Sequence, residues 1–238
     1  MGLPAHATAS TEPLPEPFDA PYAEPFGAVL LDMDGTLIDS IASVERSWVL
    51  WCAEHGVDPE RLRGFHGVTA ANVIANLLPE DLRESAFARI REIEVADVDG
   101  ITVLPGAAEL LRALEAGGVP TAIVTSSTDD LAEARLTATR LPHPAVVVTA
   151  SDVERGKPWP DPWLEGARRL GVDPAQCLVV EDSVAGLRAA RAAGCRGLVG
   201  VLGTTPRAEL EEVADLVVED VAHLSTVVQG GRVVVLRP

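Results

Sequence analysis

Aromatic residues make up only 4% of this 238-residue chain, and it holds three cysteines. Cys52, Cys177 and Cys195 share no metal-ligand spacing and leave one thiol over in any disulfide scheme. That sets aside a thiolate-held metal and a disulfide framework, and three buried thiols in a reducing cytoplasm are expected. Cations are short as well: 19 Lys and Arg stand against 36 Asp and Glu, a formal net charge of -17. Such a surface repels nucleic acid phosphates and anionic membranes, so neither is expected as a partner. No run reaches transmembrane length. No strand leads into a G-x-G-x-x-G turn, which removes the dinucleotide-binding form of a doubly wound sheet. The first 25 residues lack the cationic start and apolar core of a signal peptide; rich in proline and acids, they read as a disordered tail.

What is present is aliphatic. Hydrophobic residues reach 47%, enough for one substantial core and a small insert. From Val103 onward aliphatic strands alternate with alanine-rich helices, which favours a parallel α/β sheet over any all-β plan. Strands are expected near 28–33, 120–125, 145–150, 177–181 and 196–201, with a further edge strand over 215–218. A terminal strand over 232–236 follows the Gly230-Gly231 turn and is placed to pair with 226–229. Residues 41–102 have a different texture, without any buried-strand run. There Ile41, Val44, Trp48 and Trp51/Cys52 make one apolar helical stripe, and further helices are expected over 70–78 and 82–95.

One stretch concentrates the chemistry. Ala28 to Leu31 is a short aliphatic run suited to a strand buried on both faces, and it ends in Asp32-Met33-Asp34-Gly35. Residues two apart on a strand project to the same side, so both carboxylates face one crevice, and Gly35 permits a sharp exit. Two acids in one crevice repel and need a shared proton or a cation, for which a hard divalent ion such as magnesium is the usual oxygen-bound partner. A solvated Asp-Gly turn does not explain a buried strand running straight into two acids.

Asp32-Met33-Asp34-Gly35-Thr36-Leu37 resembles the nucleophile signature of the haloacid dehalogenase-like hydrolases, most of which are magnesium-dependent phosphatases. The resemblance implies that Asp32 attacks phosphorus to form an aspartyl-phosphate, while Asp34 protonates the leaving oxygen and then activates water. The family's later motifs follow in order. In Thr121-Ala122-Ile123-Val124-Thr125-Ser126-Ser127-Thr128, Thr125 would bind the transferring phosphoryl, assisted by the N–H of Ser126. The same hydroxyls suit the cap of a helix beginning near Asp129, and both roles are compatible at a helix N-terminus. Gly156-Lys157-Pro158-Trp159-Pro160-Asp161 resembles the family's lysine loop; its prolines hold Lys157 as a fixed ammonium beside the nucleophile, and Trp159 inherits no role. Cys177-Leu178-Val179-Val180-Glu181-Asp182 resembles the metal-binding acidic pair. Asp182 with Asp32 would ligate Mg2+ directly, Glu181 through water or as support, and Asp34 through its backbone carbonyl.

The implied architecture is a Rossmann-like α/β core, residues 26–40 and 103–238, with a small all-helical cap domain at 41–102 inserted after the first strand. In this family such a cap closes over the site and chooses the substrate. The stretch from Gly64 to Ile74 is similar to the cap of sugar- and polyol-phosphate phosphatases, which makes Arg63, His66 and Asn72 candidates for binding substrate hydroxyls. His66 equally suits a packing role at a helix entry, and Trp48 suits the insert's core as well as a sugar platform. The function implied is hydrolysis of a small phosphorylated metabolite by a monomer or small homo-oligomer. Three rivals stand beside it. A β-phosphoglucomutase-like enzyme carries a histidine ten positions after the acid/base aspartate, where this chain has Val44. A dehalogenase has no use for Asp34, and a non-catalytic binding module has no reason to keep Asp32, Asp34, Thr125, Lys157 and Asp182 together.

Overall fold

The computed structural model of the protein describes residues 8–9, 22, 24–63 and 68–236. The chain runs β1 (Thr8–Ala9), β2 (Ala28–Leu31), β3 (Ile38–Asp39), α1 (Ile41–His55), α2 (Ala70–Leu77), α3 (Glu80–Ala96), β4 (Thr102–Val103), α4 (Ala107–Ala116) and β5 (Thr121–Val124). It continues α5 (Asp129–Thr139), β6 (Val146–Val148), α6 (Asp161–Leu170), β7 (Cys177–Glu181), α7 (Val184–Ala192), β8 (Gly197–Val201), α8 (Arg207–Glu211), β9 (Leu216–Val218), β10 (Thr226–Gln229) and β11 (Arg232–Val235).

Six strands form one parallel sheet in the order β6-β5-β2-β7-β8-β9. Strand side chains alternate between faces, and here both faces are apolar. Val29, Leu31, Ile123 and Val180 meet Leu110, Leu111 and Leu114 of α4 and Ala132 and Leu136 of α5 on one side. Ala28, Leu30, Val124 and Val179 meet Trp163 of α6, Leu187 of α7 and Leu210 of α8 on the other. This is the expected α/β class, a helix-sheet-helix sandwich. β2 stops at Leu31, two residues short of the expected strand, because the chain turns at Asp32 and passes Gly35 at φ 85°.

The helical insert leaves and returns through an antiparallel ribbon in which Ile38 pairs with Val103 and Asp39 with Thr102. Two residues per strand are too few for a periodic signal, and this ribbon was not expected from the sequence. α1, α2 and α3 pack around a separate apolar cluster of Trp48, Trp51, Cys52, Val73, Ile74, Leu77, Ala86, Ile90 and Ile93. The expected stripe on α1 divides. Its Trp48, Trp51 and Cys52 are buried, whereas Ile41 and Val44 face the cavity described below.

The terminal hairpin forms as expected: β10 and β11 pair antiparallel across Gly230 and Gly231, both with positive φ as a tight hairpin turn requires. Its inner face buries Val228 and Val233 against the main core, where Phe26 also sits. β1 adds to β10 in parallel. Beyond β1, Tyr22, Glu24 and Pro25, the proline-rich segment expected to be disordered lies outside the described residues. All three cysteines are free and buried, and burial pushes the Cys177 and Cys195 thiols up to about 12. Among the described residues no helix is long and apolar enough to cross a membrane.

Candidate active site

β5, β2 and β7 are neighbours and parallel, so whatever follows each of them converges on one edge of the sheet. Thr125 follows β5, Asp32 follows β2, and Glu181 and Asp182 close β7. Lys157, the sole lysine of the chain, arrives from the loop before α6. It is 1% exposed, and its three ammonium hydrogens have three acceptors: Asp32 Oδ1 at 2.6 Å, Glu181 Oε2 at 2.7 Å and Val124 O at 3.0 Å. The Trp163 ring lies 4.6 Å from Nζ, and its own indole N–H is spent on Gly186 O. Burial alone would lower the lysine's pKa; Asp32 and Glu181 together carry it above its ordinary value.

One ammonium does not balance the acids around it. Carboxylate oxygens of Asp32, Glu181 and Asp182, all buried, lie within 4.8 Å of one another. Burial, then the Glu181 charge, pushes Asp32 up to about 7 despite its bond to Lys157. Burial, Glu181 and Asp32 hold Asp182 well above the usual carboxylate range. Three buried acids of hard oxygen donors, two of them resisting ionisation, fit a divalent cation. Glu181 is otherwise engaged, since Oε1 accepts from the N–H and hydroxyl of Ser183. Two glycines make room for the cluster. A Cβ on Gly35 would lie 2.3 Å from Asp182 Oδ2, and one on Gly186 would lie 2.0 Å from Glu181 Oε2.

Asp34 belongs to a different set of contacts. Its carboxylate is outside that cluster; it accepts from Ser40 Oγ at 2.7 Å and Ser127 Oγ at 3.0 Å and is ion-paired with Arg135 Nη1 at 2.9 Å. The Thr125 hydroxyl is 3.4 Å away, long for such a bond, and it also accepts from the Ser127 N–H at 3.1 Å. Two carboxylates two residues apart therefore have opposed settings, one pinned by an ammonium beside other acids, one held by hydroxyls and a guanidinium. That pairing suits a nucleophile and a separate proton carrier.

Between this edge and the insert lies a cavity of about 680 Å³. Asp32, Asp34, Thr125, Ser126 and Asp182 are on its floor, with Lys157 and Glu181 beneath. Val44, Trp48, Phe87 and Ile90 from the helices form its roof. Arg63 and Asn72 also line it. The Arg63 side chain is 80% exposed and ion-paired with Glu60 at 2.7 Å, and the Asn72 N–H caps α2 against Thr69 Oγ1. His66 lies outside the described residues. Trp48 is part of the insert's core and also lines the cavity.

Several residues here escaped the sequence reading. Ser127 stands inside the Thr121 to Thr128 motif, Ser40 lies three residues past the Asp32 to Leu37 motif, and Thr204, whose hydroxyl donates to Asp182 Oδ2 at 2.6 Å, belongs to no motif. Arg135 and Glu94 had a signal: each is a charge spaced three or four residues from the buried apolar residues of its helix.

The family profile described as haloacid dehalogenase-like hydrolase matches residues 26–194. The chain is 42% identical over 213 residues to hexitol phosphatase A of Escherichia coli, covering 87% of this chain and 97% of that protein. It is 34% identical over 179 residues to a fructose-1-phosphate phosphatase of the same organism, covering 72% and 94%. Among solved structures, a hydrolase from Pseudomonas syringae superposes with a TM-score of 0.77 at 28% identity, covering 84% of this chain and 95% of that one.

Proposed function

The chain belongs to the haloacid dehalogenase-like hydrolases, and on that premise we propose a magnesium-dependent phosphatase that releases phosphate from a small phosphorylated sugar or polyol through an aspartyl-phosphate. The observation that carries it is the buried Lys157–Asp32–Glu181 chain beside Asp182, opening onto a cavity sized for a small metabolite.

In this reading Asp32 and Asp182, with the backbone carbonyl of Asp34, hold Mg2+, and Glu181 supports them. The ion, when bound, neutralises charge on the phosphoryl oxygens. Lys157 holds the Asp32 carboxylate in a fixed orientation and adds a second positive charge. Thr125 and the Ser126 N–H, at the entry to α5, bind the phosphoryl group. An Asp32 oxygen attacks phosphorus in line, the ester P–O bond breaks, and the departing oxygen takes a proton from Asp34. Water then attacks the aspartyl-phosphate, returning its proton to Asp34 and freeing phosphate.

Residues 41–102 act as the cap over a core made of 26–40 and 103–238. The apolar cluster of the insert and its two-stranded ribbon support that division. Arg63, His66 and Asn72 are the cap residues assigned to substrate hydroxyls. The two curated relatives are named for hexitol and fructose 1-phosphate hydrolysis, and this chain is placed in the same substrate class. Val44 lines the cavity where a phosphomutase has its histidine, which favours hydrolysis over transfer.

The test is phosphate release across a panel of hexose, hexitol and triose phosphates, with chelated enzyme and Asp32→Asn as controls. Conversion of β-glucose 1-phosphate to glucose 6-phosphate without free phosphate would overturn the hydrolase reading.

A further inference from the structure

Arg135 is a cation buried where its helix should be apolar. On α5 it shares the inward face with Leu131, Ala132 and Leu136 and is 2% exposed. A guanidinium carries five N–H donors, and a buried one is costly unless they are met. Nη1 is satisfied, reaching Asp34 Oδ1 at 2.9 Å and Ser127 Oγ at 3.0 Å. Nε and Nη2 are shielded from solvent and make no hydrogen bond among the described residues. The nearest charge is Glu94 Oε1 on α3, 3.5 Å from Nη2 and outside hydrogen-bond geometry. Glu94 is itself 6% exposed and faces Arg135 across the junction between insert and core. A second pair fixes how these helices meet: Arg91, one turn before Glu94, bonds Asp130 of α5 at 2.6 Å. α3 thus presents cation then anion, and α5 presents anion then cation.

We propose that Arg135 is a positioning residue for Asp34, and that Glu94 completes it from the insert, so that the proton carrier is correctly held only when α3 is seated on α5. The inference rests on the proposed role of Asp34. Arg135 does not reach a ligand with its free nitrogens, which are shut off from solvent, so it acts through the carboxylate it holds. Asp34 sits on a turn beyond the end of β2; a single bridge to Ile38 holds its backbone, and its side chain is oriented by the groups that contact the carboxylate. The fork from Nη1 to Asp34 and to Ser127, which also donates to Asp34, pins both carboxylate oxygens. The unmet Nη2 is the driving group: a closer approach of Glu94 satisfies it, and only the insert can bring Glu94 closer.

The experiment compares Arg135→Met, Arg135→Lys and Glu94→Gln on two phosphomonoesters, p-nitrophenyl phosphate and a hexitol phosphate. The aryl leaving group departs without protonation, whereas the alkoxide needs the proton from Asp34. Arg135→Met is expected to lower kcat on the hexitol ester about 100-fold and on the aryl ester only about 3-fold, with KM little changed on either. Glu94→Gln should give the same pattern at about 10-fold, and Arg135→Lys should recover part of the loss. In an Asp34→Asn background the Arg135 substitutions should add nothing. Should Arg135→Met fail to fold by circular dichroism, the lysine and Glu94 variants carry the test. Equal losses on both esters, or losses confined to KM, overturn the positioning role alone. Wild-type enzyme inactive on both esters overturns the phosphatase reading and this role with it.

Discussion

The floor and the roof of the cavity are built by different rules. The acids and the lysine of the floor are fixed by strand ends and motif loops, and their partners are named: Lys157 on Asp32 and Glu181, Thr204 on Asp182, Ser40 and Ser127 on Asp34. The roof is Val44, Trp48, Phe87 and Ile90; of its polar members Arg63 is exposed, the Asn72 backbone caps a helix, and Glu94 is buried, against Arg135 of the core. Parallel strands bring three loops to one place and leave little freedom in where a side chain points. Helices laid over that place offer area and shape. The floor is specialised for one reaction, and the roof is open to change in what it admits.

If that contrast holds, substitutions should divide by wall. Asp32→Asn on the floor should cost at least about 10³-fold in phosphate release on every ester, aryl or alkyl. An ester that retains turnover would break the division at once. Lys157→Met should be nearly as severe, about 10² to 10³-fold in rate. It should also lower stability by about 3–5 kcal/mol, read by thermal denaturation, because it leaves Asp32 and Glu181 buried without their cation.

Removing divalent metal should separate floor from roof by pH. Burial raises Asp32 to about 7 and, together with the Asp34 charge, raises Glu94 to about 7 even beside Arg135. Both groups hold protons more tightly folded than unfolded, so the chelated protein should lose stability as pH rises from about 5 to 7. Added Mg2+ should cancel the Asp32 share of that loss, and Glu94→Gln should cancel the other. A chelated protein whose melting temperature rises over that range would refute the assignment of buried, cation-starved acids. The smallest effect belongs to the roof. Arg63→Ala or Asn72→Ala should change kcat/KM on a hexitol phosphate by less than about 10-fold and leave p-nitrophenyl phosphate untouched. Equal changes on both would move these residues from selection to chemistry.

The same contrast explains what could be read in advance. Asp32 and Asp34 were legible from the aliphatic strand that ends in them, whereas Thr125, Lys157, Glu181 and Asp182 were singled out by resemblance to ordered motifs, each at a strand end or inside a proline-stiffened loop. The β3–β4 ribbon was invisible because two residues cannot show a period. Arg135 and Glu94 were missed for another reason. A charge in a helix reads as solvated unless its neighbours three and four positions away are weighed, and their partners are 40 or more residues distant in sequence. Which strand lies beside which, and that β1 joins the terminal hairpin, depends on pairings no single segment encodes.

Lys157 has a consequence outside catalysis. Every other basic side chain in the sequence is arginine or histidine, so an amine-acylating reagent meets one side-chain target, sealed beneath the cavity. Its labelling rate then reads the opening of the folded protein directly, as a built-in reporter with no other side-chain amine to compete. Mass spectrometry of a single modified peptide would show whether metal or substrate slows that opening.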